Sequence, residues 1–290
     1  MKKFHGTGVA LVTPFNRKGE IDFEALGKLL DHTAQGIDYY VLMGTTGESV
    51  TVSPEEKVEV TDFVRKNNRK KLPIIFGIGG NNTNQIIKTI HKTDLTGIDG
   101  ILSVCPYYNK PSQEGIYRHF MAIADASPVP VILYNVPGRT SSNMEAGTTL
   151  RLADHPRIVG IKEASGNFSQ CIQIAKRKPK NFLLISGDDL LTLPLLSIGA
   201  AGVISVLANA FPVLFAKMVS AFINGETKGA SVQLYKMIDI NAAMYEEGSP
   251  VGVKQLLSEL GICKNYCRLP MTEASPELQK KIRDLLTTIR

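Results

Sequence analysis

The sequence predicts an α/β chain folded as a (β/α)8 barrel with a small C-terminal helical appendage. Short apolar, β-branched runs recur along the first two-thirds of the 290 residues, and helical patterns separate them. Past about residue 225 such runs stop and only helical patterns follow. Strands alternating with helices at this spacing argue for βαβ units.

The predicted strands are Gly8–Val12, Tyr39–Met43, Pro73–Ile78, Gly100–Val104, Val129–Tyr134, Ile158–Ile161, Phe182–Ile185 and Gly202–Val206. Continuous apolar runs of this kind suit strands buried on both faces of a parallel sheet. Between them, Phe23, Leu26, Leu29 and Leu30 follow a spacing of three and four, which puts them on one helix face. Ser53–Pro54–Glu55–Glu56 combines an N-cap serine, a first-turn proline and a capping-box acid. Thr83 is read as opening a helix with Ile86, Ile87 and Ile90 on one side, ended by Gly97 in a left-handed turn. Ala230–Glu246 and Val251–Leu260 read as further helices, and Ser275–Pro276–Glu277 starts a last one with Leu278, Ile282, Leu285, Leu286 and Ile289 inward.

About eight βα units before residue 210 close a barrel, for which about 250 residues is typical. A doubly wound open sheet is the competitor, but Gly77–Ile78–Gly79–Gly80–Asn81–Asn82 lacks the third glycine of a dinucleotide fingerprint. The domain reading is therefore a catalytic barrel over 1–224 and a helical domain over 225–290.

The chain is 43% hydrophobic and 21% charged, the proportions of a globular enzyme. Its formal charge is +6, but the basic clusters Arg65–Lys71 and Lys176–Lys180 each close a helix, where cations complement the macrodipole. Neither interleaves aromatics, so no nucleic acid partner is expected. Cys105, Cys171, Cys263 and Cys267 form no CxxC pair and are read as free buried thiols of a reducing compartment. No signal peptide is evident and no apolar run approaches the ~18 residues of a membrane span. These readings predict a cytoplasmic enzyme without membrane contact.

In a barrel, the residues past each strand's C-terminal end converge on one face. There the second strand yields Gly44–Thr45–Thr46–Gly47–Glu48, the fourth Pro106–Tyr107–Tyr108–Asn109, the fifth Tyr134–Asn135–Val136–Pro137–Gly138–Arg139 and the sixth Gly160–Ile161–Lys162–Glu163. A nucleophilic lysine must be neutral, whereas a free lysine has a pKa of about 10.4. A strand end inside a barrel mouth offers apolar surroundings that disfavour an ammonium, so Lys162 is a Schiff-base candidate. The ordinary alternative is an ion pair with a carboxylate such as Glu163. Tyr134 and Tyr108 can relay protons or merely pack. Thr45 and Thr46 can hold a carboxylate or cap a helix. Arg139 can fork onto a substrate carboxylate or sit in a surface salt bridge.

With these blocks the chain resembles the dihydrodipicolinate synthase branch of the N-acetylneuraminate lyase superfamily. The likeness runs from Gly8–Pro14 to Leu269–Met271, through GTTGE at 44–48, PYYNKPSQEG at 106–115, YNVPGRT at 134–140, GIKEASGN at 160–167 and SGDD at 186–189. It implies a TIM barrel lyase in which Lys162 forms a Schiff base with pyruvate. It further implies Tyr134 as general acid/base and Thr45 and Tyr108 as its relay partners. Thr46 and Ile204 would bind pyruvate, Gly187 would contribute backbone to the substrate-binding site, and Arg139 would receive the carboxylate of aspartate semialdehyde. Tyr108 would reach in from a neighbouring subunit, in a homotetramer built from dimers, and no metal or organic cofactor would be needed. Sialic-acid lyases of the same superfamily typically carry GSTGE and lack the arginine, so Thr45 and Arg139 point to the synthase. Another pyruvate-dependent aldolase, such as N-acetylneuraminate lyase or a keto-deoxy sugar acid aldolase, is the alternative.

Lysine-inhibited members tend to carry a histidine in the helix after GTTGE and an acid after the third strand. Here Pro54, Lys57 and Gln85 occupy the matching stretches. A positive Lys57 repels a lysine ligand, so weak or absent inhibition is expected.

Overall fold

The computed structural model describes residues 2–289. Its strands are β1 (Gly6–Ala10), β2 (Tyr39–Leu42), β3 (Ile74–Gly77), β4 (Gly100–Val104), β5 (Val131–Asn135), β6 (Ile158–Glu163), β7 (Leu183–Ser186) and β8 (Gly202–Ser205). They join in chain order as a closed barrel, and the described pairings are parallel. The predicted (β/α)8 barrel with C-terminal helices is the observed fold. The helices before β8 are α1 (Phe23–Thr33), α2 (Pro54–Asn67), α3 (Thr83–Lys92), α4 (Gln113–Ala126), α5 (Pro137–Thr140), α6 (Ala146–Leu152), α7 (Phe168–Arg177) and α8 (Thr192–Ser197). After β8 come α9 (Pro212–Ile223), α10 (Thr227–Tyr235), α11 (Ile238–Tyr245), α12 (Val251–Glu259) and α13 (Pro276–Leu286).

The chain divides into two compact units, residues up to His5 with Pro73–Ile204, and Gly6–Leu72 with Ser205 onward. In the first, every residue of β5 and β6 is buried, which is why those strands read as unbroken apolar runs rather than alternating ones. Ile101, Val131, Ile132, Leu133, Ile161, Leu184 and Ile185 have no solvent contact at all.

In the second unit, β1 pairs with β2 through Gly8↔Tyr39. The Asn209 amide caps the open end of β1, donating to Ala10 O at 2.8 Å and accepting from Val12 N at 3.1 Å. Leu26, Leu29 and Leu30 of α1 are buried as their spacing requires, and Phe23 meets Phe63 of α2 at 5.2 Å between ring centroids. Helix α2 begins with the predicted capping box, Ser53 accepting from Glu56 N and Glu56 from Ser53 N. Ser275 caps α13 at Leu278 N.

The structure corrects several local readings. Helix α3 is capped by Asn82, while Thr83 offers its hydroxyl to His119 instead. It ends at Lys92 rather than Gly97, because the Thr93 hydroxyl and amide both bond Thr89 O and satisfy the last turn without a left-handed residue. The stretch read as one helix over Ala230–Glu246 is two, α10 and α11, turning at Met237, which is fully buried. No glycine or proline marks that turn. All four cysteines are free, but Cys267 is only half-buried. Burial pushes the Cys105, Cys171 and Cys263 thiols up to about 12 and Cys267 up to about 11. Among the described residues no helix is long and apolar enough to cross a membrane.

Candidate active site

The register of β5 against β6 pairs Tyr134 with Lys162 and Asn135 with Glu163. Side chains alternate along a strand, so the first pair shares one face and the second pair shares the other. Tyr134 and Lys162 are 7% and 4% exposed, and the Lys162 Nζ lies over the Tyr134 ring, 4.5 Å from its centroid. The amine and the phenol ring are thus neighbours at a buried strand end.

The sequence left open an ion pair between Lys162 and Glu163. Instead the Glu163 carboxylate faces the other way and is held by neutral donors. It accepts from the Asn135 amide at 3.1 and 3.3 Å, from Ser165 N at 2.7 Å and from Gln170 Nε2 at 2.9 Å. Among the described residues no carboxylate lies within 4.0 Å of Lys162 Nζ.

Gly187 follows β7 and donates its N–H to Glu163 O at 2.8 Å. A Cβ placed there would fall 3.0 Å from Lys162 Cε and 2.7 Å from Ala164 Cβ. Lacking a side chain, Gly187 leaves the room that the lysine occupies. Ile204 sits in β8 with no solvent contact.

Arg139 lies on the four-residue helix α5 and is exposed. Among the described residues it has no ion pair, so the surface salt bridge weighed above is not what holds it. Tyr108 stands apart from the Tyr134–Lys162 pair: its ring is 89% exposed on a backbone with φ +73°. Its loop is tied down by Asn81 Nδ2 to Tyr107 O (3.1 Å) and Asn109 Nδ2 to Asn81 O (2.9 Å).

In the other unit Thr45 is exposed and Thr46 buried, just past β2. They start no helix, which removes the capping alternative. Their loop closes with Gly44 O accepting from Gly47 N and Thr45 O from Glu48 N. Glu48 has a left-handed backbone, φ +51°, and is 4% exposed. Its carboxylate forms an ion pair with Lys254 and accepts from Arg268 N. The sequence alone does not single out Asn135, Asn143, Gln170, Lys254 or Arg268 as site residues. Strand alternation gave a signal for Asn135 only. Among the described residues no group of three or more His, Cys, Asp or Glu is placed to hold a metal ion.

The family model for the dihydrodipicolinate synthetase family matches residues 3–289. The 4-hydroxy-tetrahydrodipicolinate synthase of Cytophaga hutchinsonii is 48% identical over 283 residues, 97% of this chain and 95% of its own. Among solved structures, a monomeric dihydrodipicolinate synthase variant superposes with a TM-score of 0.96 at 34% identity, covering 99% of this chain and 97% of the other. The dihydrodipicolinate synthase of Cyanidioschyzon merolae, solved with lysine bound, has a TM-score of 0.94 at 38% identity and covers 99% and 98%.

Proposed function

This chain belongs to the dihydrodipicolinate synthetase family, and from that premise we propose how its own residues act. It is a lyase that condenses pyruvate with aspartate semialdehyde to 4-hydroxy-tetrahydrodipicolinate, on the route to diaminopimelate and lysine. Lys162 is the nucleophile and Tyr134 its general acid/base. The observation that carries this assignment is the buried amine over the Tyr134 ring, with its neighbouring carboxylate committed elsewhere.

Neutral Lys162 attacks the pyruvate ketone and water leaves, giving an iminium. Loss of a methyl proton makes the enamine, whose carbon adds to the aldehyde of aspartate semialdehyde. The new alkoxide takes a proton, and the amine of the condensed product displaces Lys162 as the ring closes. The iminium is the electron sink, so the reaction is assigned no metal or organic cofactor.

Thr46 and Ile204 bind pyruvate, Gly187 contributes backbone to the substrate-binding site, and Thr45 and Tyr108 extend the proton path from Tyr134. Arg139, exposed and free of an ion pair, receives the carboxylate of the second substrate. A ring as exposed as that of Tyr108 suits a role across a subunit boundary, in a cytoplasmic homotetramer of dimers. The catalytic barrel spans 1–224 and the helical domain 225–290. Lys57 is half-buried and burial lowers its pKa. Pro54 and Lys57 stand in the stretch where lysine-inhibited relatives tend to carry histidine, so inhibition by low lysine concentrations should be weak or absent.

The deciding assay supplies pyruvate with either aspartate semialdehyde or sugar-acid aldehydes. Turnover of the semialdehyde alone is expected, and a preference for the sugar-acid aldehydes would make the chain an aldolase of the alternative kind.

A further inference from the structure

Behind the Tyr134–Lys162 pair, on the opposite face of the same two strands, lies a closed polar network. Asn135 is its centre: fully buried, it donates to both Glu163 oxygens and to Asn143 Oδ1 at 2.9 Å, and accepts from Met144 N at 2.9 Å. Gln170 of α7 completes the ring. It donates to Glu163 Oε2 at 2.9 Å and to Met144 O at 3.1 Å, and accepts from Asn143 Nδ2 at 3.0 Å. Outward, Gln113 of α4 donates to Asn143 O at 2.7 Å.

This network fastens both ends of one segment. The chain leaves β5 at Asn135, runs through α5 with Arg139 exposed on it, and returns at Asn143 and Met144. Between those ends Ser141 has a left-handed backbone, φ +55°, a conformation unfavourable for a side-chain-bearing residue and kept only where its surroundings enforce it. Glu163 suits the centre better than a neutral amide. A carboxylate offers acceptors only, its hydrogen bonds are charge-assisted, and all the donors aimed at it are consistent with that.

We propose that Asn135, Asn143, Glu163 and Gln170 are positioning residues that hold the Arg139 segment in register with the strands carrying Tyr134 and Lys162, and so set the selectivity for a carboxylate-bearing aldehyde. None of the four touches a reacting atom. The proposal rests on the reading that Arg139 receives that carboxylate.

The test compares the wild-type enzyme with Asn143→Ala, Gln170→Ala and the double variant. Each single substitution should raise KM for aspartate semialdehyde about tenfold, below the roughly hundredfold that a full ångström of misplacement costs. KM for pyruvate and borohydride trapping of pyruvate on the enzyme should stay within about twofold of wild type. The double variant should be no worse than the more damaged single one, because the residues act as one unit. Additive effects, an equal rise in pyruvate KM or no rise for the semialdehyde would each overturn the proposal. A second readout needs no substrate: amide hydrogen exchange over 136–142 should quicken in both single variants, and unchanged exchange would also overturn it. If the wild type fails to turn over aspartate semialdehyde, the substrate reading falls while the exchange result still decides the positioning role.

Discussion

Two buried glutamates in this chain are stabilised in opposite ways. Glu163, at the end of β6, is surrounded by amide and backbone N–H donors and has no cationic partner within salt-bridge distance among the described residues. Glu48, in the loop after β2, pairs with the fully buried Lys254 of α12 and takes the backbone N–H of Arg268. Lys254 also donates to Tyr266 O at 2.8 Å and lies 4.2 Å from the Phe15 ring centroid, and the Arg268 guanidinium lies 4.3 Å from the same centroid. The first carboxylate organises neutral groups near it, whereas the second recruits the charge of Lys254 and a backbone N–H from 220 residues along the chain. A cation beside Glu163, so close to Lys162, would repel the iminium that the proposed chemistry forms.

The sharpest way to break the contrast is Lys254→Met. It strands the Glu48 charge in the interior, and removing one partner of a buried pair costs about 3–5 kcal/mol. Urea unfolding should show that loss, and adding Glu48→Gln should restore much of it. If the double variant is no more stable than Lys254→Met, burial of the charge is not what the lysine answers.

His119 shows a third solution, neutrality. Its Nδ1 meets the Thr83 hydroxyl at 2.8 Å, Nε2 is buried without a partner among the described residues, and burial pushes its pKa down to about 4. The unfolded chain binds this proton near pH 6.5 and the folded chain does not. Stability is therefore full above pH 6.5 and falls as the pH drops toward 4, by about 3 kcal/mol at 1.36 kcal/mol per unit. Unfolding measured from pH 7 to 4 should show this slope in the wild type and a shallower one in His119→Asn. Equal slopes would assign the acid sensitivity to other groups.

Glu163→Gln should have the smallest effect. It keeps the shape but turns one acceptor into a donor facing other donors, at about 1–3 kcal/mol. A loss as large as that of Lys254→Met would show that Glu163 depends on a charge partner after all.

The strand runs made the barrel readable, and with it the convergence of Tyr134 and Lys162 at adjacent strand ends. Their register was not readable, because strands buried on both faces lack the alternation that fixes it and β5 shifts against β6 between Val131 and Ile132. The back of the site was only half readable. Alternation sends Asn135 and Glu163 outward together, but their partners come from a loop at Asn143 and a helix at Gln170, and no local pattern announces them. Lys254 and Arg268 were invisible for a stronger reason, since nothing near Glu48 in the sequence says which distant cation will meet it. The end of α3 was misread because Thr93 does with a hydroxyl what Gly97 was expected to do with a left-handed backbone.

In the proposed chemistry Lys162 forms the covalent bond to pyruvate. Borohydride reduction of the enzyme in the presence of pyruvate, followed by peptide mass analysis, tests it most directly. A carboxyethyl group is expected on the Lys162 peptide, and none when the enzyme is reduced without pyruvate. An unmodified Lys162 with the label on another lysine, or on none, would contradict it.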